Sequence, residues 1–390
     1  MKIAIILNSS YPKGMALTNR IHLYAKGIKE QGNEIFIIIP RPTENPENIK
    51  NAITEGTYED IYYKYACKST SRSKSFWGRR KHDFLSLINL FNLLLKFQPD
   101  IILIASTFFL QLMFIQVYSI IKKVKTVKES CEVPYYRKEY LTKMNKFWVK
   151  AEYNLYDGLI VITDRLKELF QKELEVRAKM IVVPILSNSG TGVSNGILKD
   201  KRTLVYTGSL HEHKDGITII LKAFAEIHKK HSEIKLIMTG DLNSSGNKTK
   251  ILELVKELNI SNNVEFPGYV SIEELKEITS SATALLLAKP DNRQNRYNMA
   301  TKIGEYLLTS RPALISSVDP ASQILKHREN VLIASPEVDS FVNEILFVLN
   351  NPDKADEIGT NGRVAALEIF DYKYHGMRIN DFFLDLCEKK

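Results

Sequence analysis

Apolar residues along this chain alternate between short continuous runs and helical spacings. The segment Lys2–Leu7 carries five consecutive apolar residues, Ile3 to Leu7, as a strand buried on both faces does. Behind it, Ile21, Tyr24, Ala25 and Ile28 mark one face of a helix predicted over Thr18–Gln31 and closed by Gly32. Glu34–Ile39 is the next strand. Further strands are predicted at Ile61–Tyr65, Ile101–Ala105, Thr126–Glu129, Gly158–Thr163 and Met180–Pro184, with helices at Phe84–Phe97 and Lys143–Tyr156. Strands alternating with helices predict a parallel sheet covered on both faces.

Residues 186–200 are rich in Ser, Gly and Asn and read as a linker. The alternation then restarts. Strands are predicted at Arg202–Tyr206, Ile234–Met238, Val264–Phe266, Ala284–Leu287, Ala313–Ser316 and Val331–Ala334. Helices are predicted at Gly216–Lys230, Lys248–Leu258, Ile272–Ser280, Met299–Ser310, Pro320–His327 and Ser340–Leu349, with a last helical region from Asp353 onward. The expected organisation is an α/β domain over residues 1–185, a second over 201–370, and a terminal helix over 371–390 that crosses back to the first. In open α/β sheets ligands bind beyond the carboxyl ends of the strands, so functional residues are sought there.

Ile101 to Ile121 contains no charged residue, a length that could span a bilayer. The turn Gln98-Pro99-Asp100 and the helix-starting pair Ser106-Thr107 favour a buried strand followed by a helix. The N-terminal run is too short for a signal peptide. Three cysteines, Cys67, Cys131 and Cys387, have no metal-site spacing and suit a reducing compartment. The expectation is a cytoplasmic protein. Its net charge is +9, and the excess sits in the first half. That half suits an acidic partner or simply carries a solvated basic surface.

Candidate chemistry collects at predicted strand ends. After the first strand, Asn8 to Gly14 forms a loop with one glycine, not the three of a dinucleotide fingerprint. It is either a ligand loop at a helix N-terminus or a plain turn. In the second half, Gly208, Gly240 and Gly268 each close a strand, as the floor of a shared crevice would. Lys214 precedes a helix start, where a cation is disfavoured unless an anion binds both. It is a phosphate candidate or a surface lysine. The densest cluster spans Arg293 to Tyr306. Asn298 is the expected N-cap of the helix from Met299, leaving amides near Met299–Thr301 free. Lys302 and Glu305 share a face, either on a diphosphate and a ribose or as an ordinary ion pair. Motifs for zinc hydrolysis, paired metal cysteines and the P-loop are missing from the sequence. A chance GxSxG match, Gly192 to Gly196, lies in the expected linker. No metal site is predicted.

These motifs resemble those of family 4 glycosyltransferases, over the whole chain and most strongly over residues 202–318. The resemblance implies the GT-B fold, two Rossmann-like domains facing a cleft. It also implies a nucleotide diphosphate sugar as donor and no cofactor. It makes Lys214 the phosphate lysine of the donor loop containing Gly208, and Gly240-Asp241 the family's glycine–acid turn. Gly268-Tyr269-Val270 becomes the loop that holds the nucleobase. The segment from Thr301 through Lys302 and Glu305 to Leu307 matches the family's donor segment, and Gly14 its N-terminal loop. There are departures. Ser209 stands where the family usually has Arg, with Arg293 or Arg296 as substitute cations. Tyr297 stands where a first Glu is usual, and Glu129 follows a strand that is often followed by His. The implied activity is retaining hexosyl transfer without a metal, to a glycan or lipid-linked acceptor in bacterial-type surface polysaccharide assembly. Lys214 and Lys302 would stabilise the leaving group, and Glu129 would orient the acceptor or handle its proton. A GT-B sugar-nucleotide epimerase and a non-catalytic sugar-nucleotide-binding protein are the alternatives.

Residues 64–82 carry seven Lys/Arg and no Asp/Glu, with Phe76-Trp77 among them. That pattern suits an anionic membrane surface or a solvated loop. No nucleic-acid motif accompanies it.

Overall fold

The computed structural model describes residues 1–135, 141–188, 202–243 and 246–388. The chain divides into two compact units. The first comprises Met1–Cys131, Leu141–Leu186 and Tyr372–Lys390, and the second Glu132–Tyr140 and Ser187–Asp371. Of the expected linker only 186–188 are described, and the Gly192–Gly196 match lies outside the described residues.

The first unit is built on eight strands: β1 (Lys2–Ile6), β2 (Glu34–Ile39), β3 (Glu55–Tyr58), β4 (Ile61–Tyr65), β5 (Ile101–Ile104), β6 (Lys125–Ser130), β7 (Gly158–Val161) and β8 (Lys179–Val182). Their order across the sheet is β3-β4-β2-β1-β5-β6-β7-β8. Only β3 runs antiparallel to its neighbour. Beyond Lys2, β1 and its neighbour β5 are apolar at every position because both faces are covered: Ile3, Ala4, Ile5 and Ile6 are all fully buried. Crossovers between parallel strands are right-handed. Helix Ala16–Lys29, which leads from β1 toward the β3 edge, therefore lies on one face. Helices Phe76–Phe97, Phe109–Lys122 and Lys143–Tyr153, which lead toward the β8 edge, lie on the other.

The C-terminal helix Tyr372–Glu388 packs on Ala16–Lys29. A Cβ on Gly27 would stand 2.4 Å from the Tyr372 carbonyl oxygen and 3.0 Å from the Gly376 Cα, so glycine is what lets the two backbones meet. The uncharged stretch from Ile101 is β5 followed by helix Phe109–Lys122. Among the described residues no helix is long and apolar enough to cross a membrane. Helix Phe76–Phe97 starts eight residues before the predicted Phe84, over the basic stretch, and Lys64 lies instead in β4, paired with Glu55.

The second unit has six parallel strands: β9 (Thr203–Thr207), β10 (Lys235–Thr239), β11 (Val264–Gly268), β12 (Ala284–Leu287), β13 (Ala313–Ser316) and β14 (Leu332–Ala334). Their order is β11-β10-β9-β12-β13-β14. The chain adds strands outward from β9 to one edge, then from β12 to the other. The point between β9 and β12 is thus the topological switch, beyond whose carboxyl ends such sheets bind ligands. The helix expected over Pro320–His327 is only a 3-10 turn, Pro320–Gln323, started by Asp319 accepting from the Ala321 amide.

Candidate functional site

The switch point of the second sheet holds a small charged network. β9 ends in Gly208-Ser209, and the chain then makes the short helix Glu212–Asp215 and turns at Gly216 into helix Ile217–His228. The segment after β12 forms helix Arg293–Tyr297 and then helix Thr301–Leu308. Tyr306 anchors that second helix to β9, its hydroxyl accepting from the Thr207 amide at 2.8 Å. So anchored, the first turn of the helix delivers Lys302 to the end of β9. Its Nζ donates to Asp215 Oδ1 at 2.6 Å and to the Tyr206 hydroxyl at 2.9 Å. Ser209 Oγ donates to the other Asp215 oxygen at 3.0 Å.

Asp215 is buried, and the Lys302 side chain is 18% exposed. Burial opposes ionisation of Asp215, but the Lys302 ammonium and the hydrogen bond from Ser209 outweigh it and hold the carboxyl below its usual range. Burial pushes the Lys302 ammonium down, and Asp215 works against that. The result is a preorganised ammonium at the mouth of a parallel sheet, held by one carboxylate and partly open to solvent.

Gly208 and Gly240 make this possible. A Cβ on Gly208 would stand 2.1 Å from Lys302 Nζ, and one on Gly240 1.7 Å from the Gly208 carbonyl oxygen. The Gly240 amide donates in turn to the Gly268 carbonyl at 2.8 Å. The three strand ends lie side by side as one floor. Gly240 also has φ +120°, where a side chain adds strain. Gly240→Ala is therefore expected to destabilise the second unit by about 2 kcal/mol or more, read as faster hydrogen exchange in β9 and β10. Exchange unchanged from the natural protein would show that the floor can shift to admit a methyl group.

Other expected residues take different places. Asn298 is not the N-cap of the following helix: Ala300 is. Asn298 instead closes helix Arg293–Tyr297, and its side-chain and backbone oxygens accept from the buried Lys289 ammonium at 2.9 and 2.7 Å. Of the amides expected to be free near Met299–Thr301, that of Ala300 donates to Asp319 at 3.0 Å. Thr301 starts the helix, half-buried. Lys302 turns to Asp215 across the sheet rather than along its own helix, and Glu305 is exposed.

Both arginines expected to substitute for the cation missing at Ser209 have protein partners. Arg293 is buried, donating to the Pro134 and Tyr135 carbonyls at 3.0 and 3.2 Å, while Arg296 pairs with Asp291 at 2.6 Å. Lys214 stands just before helix Ile217–His228, as expected, within the short helix Glu212–Asp215, half-exposed and 3.9 Å from Glu132. Asp241 follows Gly240 and accepts from the Asn243 amide. Tyr269 is exposed and Val270 half-buried beyond Gly268, whose Cβ side is open space.

Gly14 and Glu129 belong to the first unit. Gly14 lies over Thr18 at the start of helix Ala16–Lys29, where a Cβ would stand 2.2 Å from Thr18 Oγ1. Glu129 has a different task from the one expected. Its side chain is 3% exposed and accepts from Arg20 Nε at 2.9 Å and from Cys131 Sγ. Arg20 also donates to the Val183 and Pro184 carbonyls. Glu129 thereby ties the ends of β6 and β8 to helix Ala16–Lys29, and a carboxylate so enclosed is a positioning group.

The sequence reading missed Asp215, Tyr206, Lys289 and Asp319. Lys289 and Asp319 pair at 2.7 Å, both nearly fully buried, beneath the start of helix Thr301–Leu308. The available signal was a single lysine ending the apolar run Leu285-Leu286-Leu287-Ala288. Among the described residues no group of three or more His, Cys, Asp or Glu is placed to hold a metal ion.

Residues 193–365 match the model of the family described as glycosyl transferases group 1. No curated protein matches the sequence. Among solved structures, sucrose-phosphate synthase from Thermosynechococcus elongatus is similar over 100% of both chains, at 14% identity and a TM-score of 0.76. A glycosyltransferase from Rickettsia africae covers 100% of this chain and 99% of its own, at 14% identity and a TM-score of 0.74. Anabaena Alr3699/HepE, in complex with UDP and glucose, covers 99% of this chain and 100% of its own, at 14% identity and a TM-score of 0.72. The protein thus has two parallel-sheet α/β units in the fold of GT-B glycosyltransferases, and the region matching glycosyl transferases group 1 contains the Asp215–Lys302 network.

Proposed function

We propose that this protein is a retaining, metal-independent glycosyltransferase. It moves a hexosyl residue from a nucleoside diphosphate sugar to a glycan or lipid-linked acceptor, in the assembly of a surface polysaccharide. Glycosyl transfer is supported by the group 1 match and the fold. The observation that carries the site is the Lys302 ammonium, fixed by Asp215 over the glycine floor at the switch point.

In this reading the diphosphate lies across Gly208 and Ser209. The bond between the anomeric carbon and the diphosphate oxygen breaks, and negative charge builds on the departing nucleoside diphosphate. Lys302, and Lys214 from the short helix, oppose that charge. A cation already in place costs no reorganisation during the reaction. The base stacks or bonds at the exposed Gly268-Tyr269-Val270 turn, beside Gly240-Asp241, and the exposed Glu305 accepts from the ribose. Arg293 and Arg296 shape the donor segment through their backbone and carboxylate partners. Acceptor groups bind the first unit, where Gly14 and the Glu129–Arg20 pair position the loops at the sheet's carboxyl edge.

The test is a thermal-shift screen of nucleotide sugars, since a ligand at a hundred times its Kd adds about 2.7 kcal/mol to the native state. UDP-sugars head the panel because the Anabaena relative holds UDP. The stabilising donor is then incubated with the enzyme. Slow release of free sugar supports transfer. Release of the free 2-epimer identifies an epimerase, and tight binding without turnover a binding protein. Turnover should also survive EDTA, because no metal-binding motif was found in the sequence. Loss of turnover in EDTA, restored by Mn²⁺, would refute the metal-free reading.

A further inference from the structure

The first unit carries an uncovered apolar face. It lies on the side of the sheet formed by helices Phe76–Phe97, Phe109–Lys122 and Lys143–Tyr153, opposite the face packed by the C-terminal helix. Each of the three helices turns large hydrophobic groups to solvent. Trp77 is 78% exposed, Phe109 74%, Ile120 77% and Trp148 57%. In helix Phe109–Lys122 the exposed positions Leu110, Phe114, Val117 and Ile121 recur at helical spacing, a continuous stripe rather than scattered residues. Scattered exposed apolar residues need no explanation, but a contiguous patch marks an interaction surface.

The charge around this patch says what covers it. The three helices together contain eight Lys/Arg and two Asp/Glu. One of the two acids, Asp83, is already paired with Arg41 at 3.1 Å and lies 3.8 Å from Arg80. Arg79, Arg80 and Lys81 follow Trp77 after one glycine, and Lys146 precedes Phe147-Trp148. A protein partner of matching shape would need its own acidic rim. Aromatic residues interleaved with lysine and arginine match the bilayer interface, where indole rings sit at headgroup level and cations meet anionic lipid.

We propose that this three-helix face docks on an anionic lipid bilayer. The helices run antiparallel to the strands, so Trp77 and Phe109 lie in the first turns of their helices, at the carboxyl edge of the sheet, and Trp148 lies midway along the third. Docking by these ends brings that edge to the membrane surface. The inference goes beyond glycosyl transfer and does not depend on it.

The only two tryptophans of the protein, Trp77 and Trp148, both lie on this face, so the natural protein carries its own reporters. The full chain is mixed with vesicles of phosphatidylcholine alone or with phosphatidylglycerol, at low and high salt, and followed by sedimentation and tryptophan emission. Trp77→Phe and Trp148→Phe read the two sites separately. The expected result is co-sedimentation with the anionic vesicles at low salt, weakened by high salt. Each single-tryptophan protein should show a blue shift and quenching by brominated lipid. Arg79→Ala/Arg80→Ala/Lys81→Ala should lower partitioning at least tenfold, as three juxtamembrane cations commonly do. These changes fall on exposed side chains, and unchanged circular dichroism verifies the fold. A wild-type protein left in the supernatant with anionic vesicles at low salt overturns the proposal. So does binding with both tryptophans unshifted. Concentration-dependent self-association with blue-shifted emission in the absence of lipid would assign the face to a second copy of the chain and equally overturn it.

Discussion

Lys302→Ala is expected to lower kcat/KM for donor turnover by on the order of 10²-fold, the usual loss when one preorganised charge-stabilising group is removed. The substitution also takes from buried Asp215 its ion-pair partner, leaving Ser209 and Tyr206 as its side-chain hydrogen-bond partners. Part of any effect could therefore come from an uncompensated carboxylate. Lys302→Ala/Asp215→Asn separates the two. Removing the stranded charge should restore thermal stability and leave turnover low. If stability and turnover recover together, Lys302 is a structural partner of Asp215 and the leaving-group role falls. Thermal stabilisation by the donor gives an independent reading, because a lost phosphate contact weakens the shift even in a well-folded variant.

Asp319→Ala should destabilise the second unit by about 3–5 kcal/mol, the range seen when one partner of a buried ion pair is deleted. Its carboxylate faces Lys289 at 2.7 Å and also accepts from the Ala300 and Ala321 amides. The deletion leaves a buried ammonium with only the two Asn298 oxygens, and frees two amides that start the adjacent helical turns. Hydrogen exchange of the intact chain would place the loss at β12, β13 and the start of helix Thr301–Leu308. Lys289→Met/Asp319→Leu should recover much of it, since an apolar pair has no charge to desolvate. The two lost amide partners should keep the recovery incomplete. A cost below about 1 kcal/mol for Asp319→Ala, the range of an exposed pair, would mean that the pair is solvated and not a buried support of the site.

The parallel-sheet architecture was legible because burial on both faces writes itself into composition. Glu34–Ile39, Ala284–Leu287 and Ala313–Ser316, buried on both faces beyond Glu34, lie at their observed bounds, and so does Ile61–Tyr65, whose alternating buried and open positions mark a strand covered on one face. β3, Glu55–Tyr58, escaped notice. It is an antiparallel edge strand with mostly exposed residues, so no apolar run marks it. The start of helix Phe76–Phe97 was missed for a related reason. Its first turns are basic and solvent-facing, and the apolar spacing begins only near Phe84.

The site divides along the same line. Glycines at three strand ends, and a lysine in the first turn of the helix after β12, could be read from local pattern, because each is demanded by its own loop. Partnership could not be read. Lys302 and Asp215 are 87 residues apart, and Lys289 and Asp319 30 apart; only the order of strands brings them together. Local spacing favours Glu305 as the neighbour of Lys302 and Asn298 as a cap, and the family resemblance offers Glu129 for acceptor orientation or proton handling. Tertiary packing gave Lys302 to Asp215, Asn298 to Lys289 and Glu129 to Arg20. A charge removed from water must find its partner wherever the fold places one. The sequence by itself determined the alternation of strands and helices and the residue types at the strand ends. The tertiary structure alone decided which charges meet.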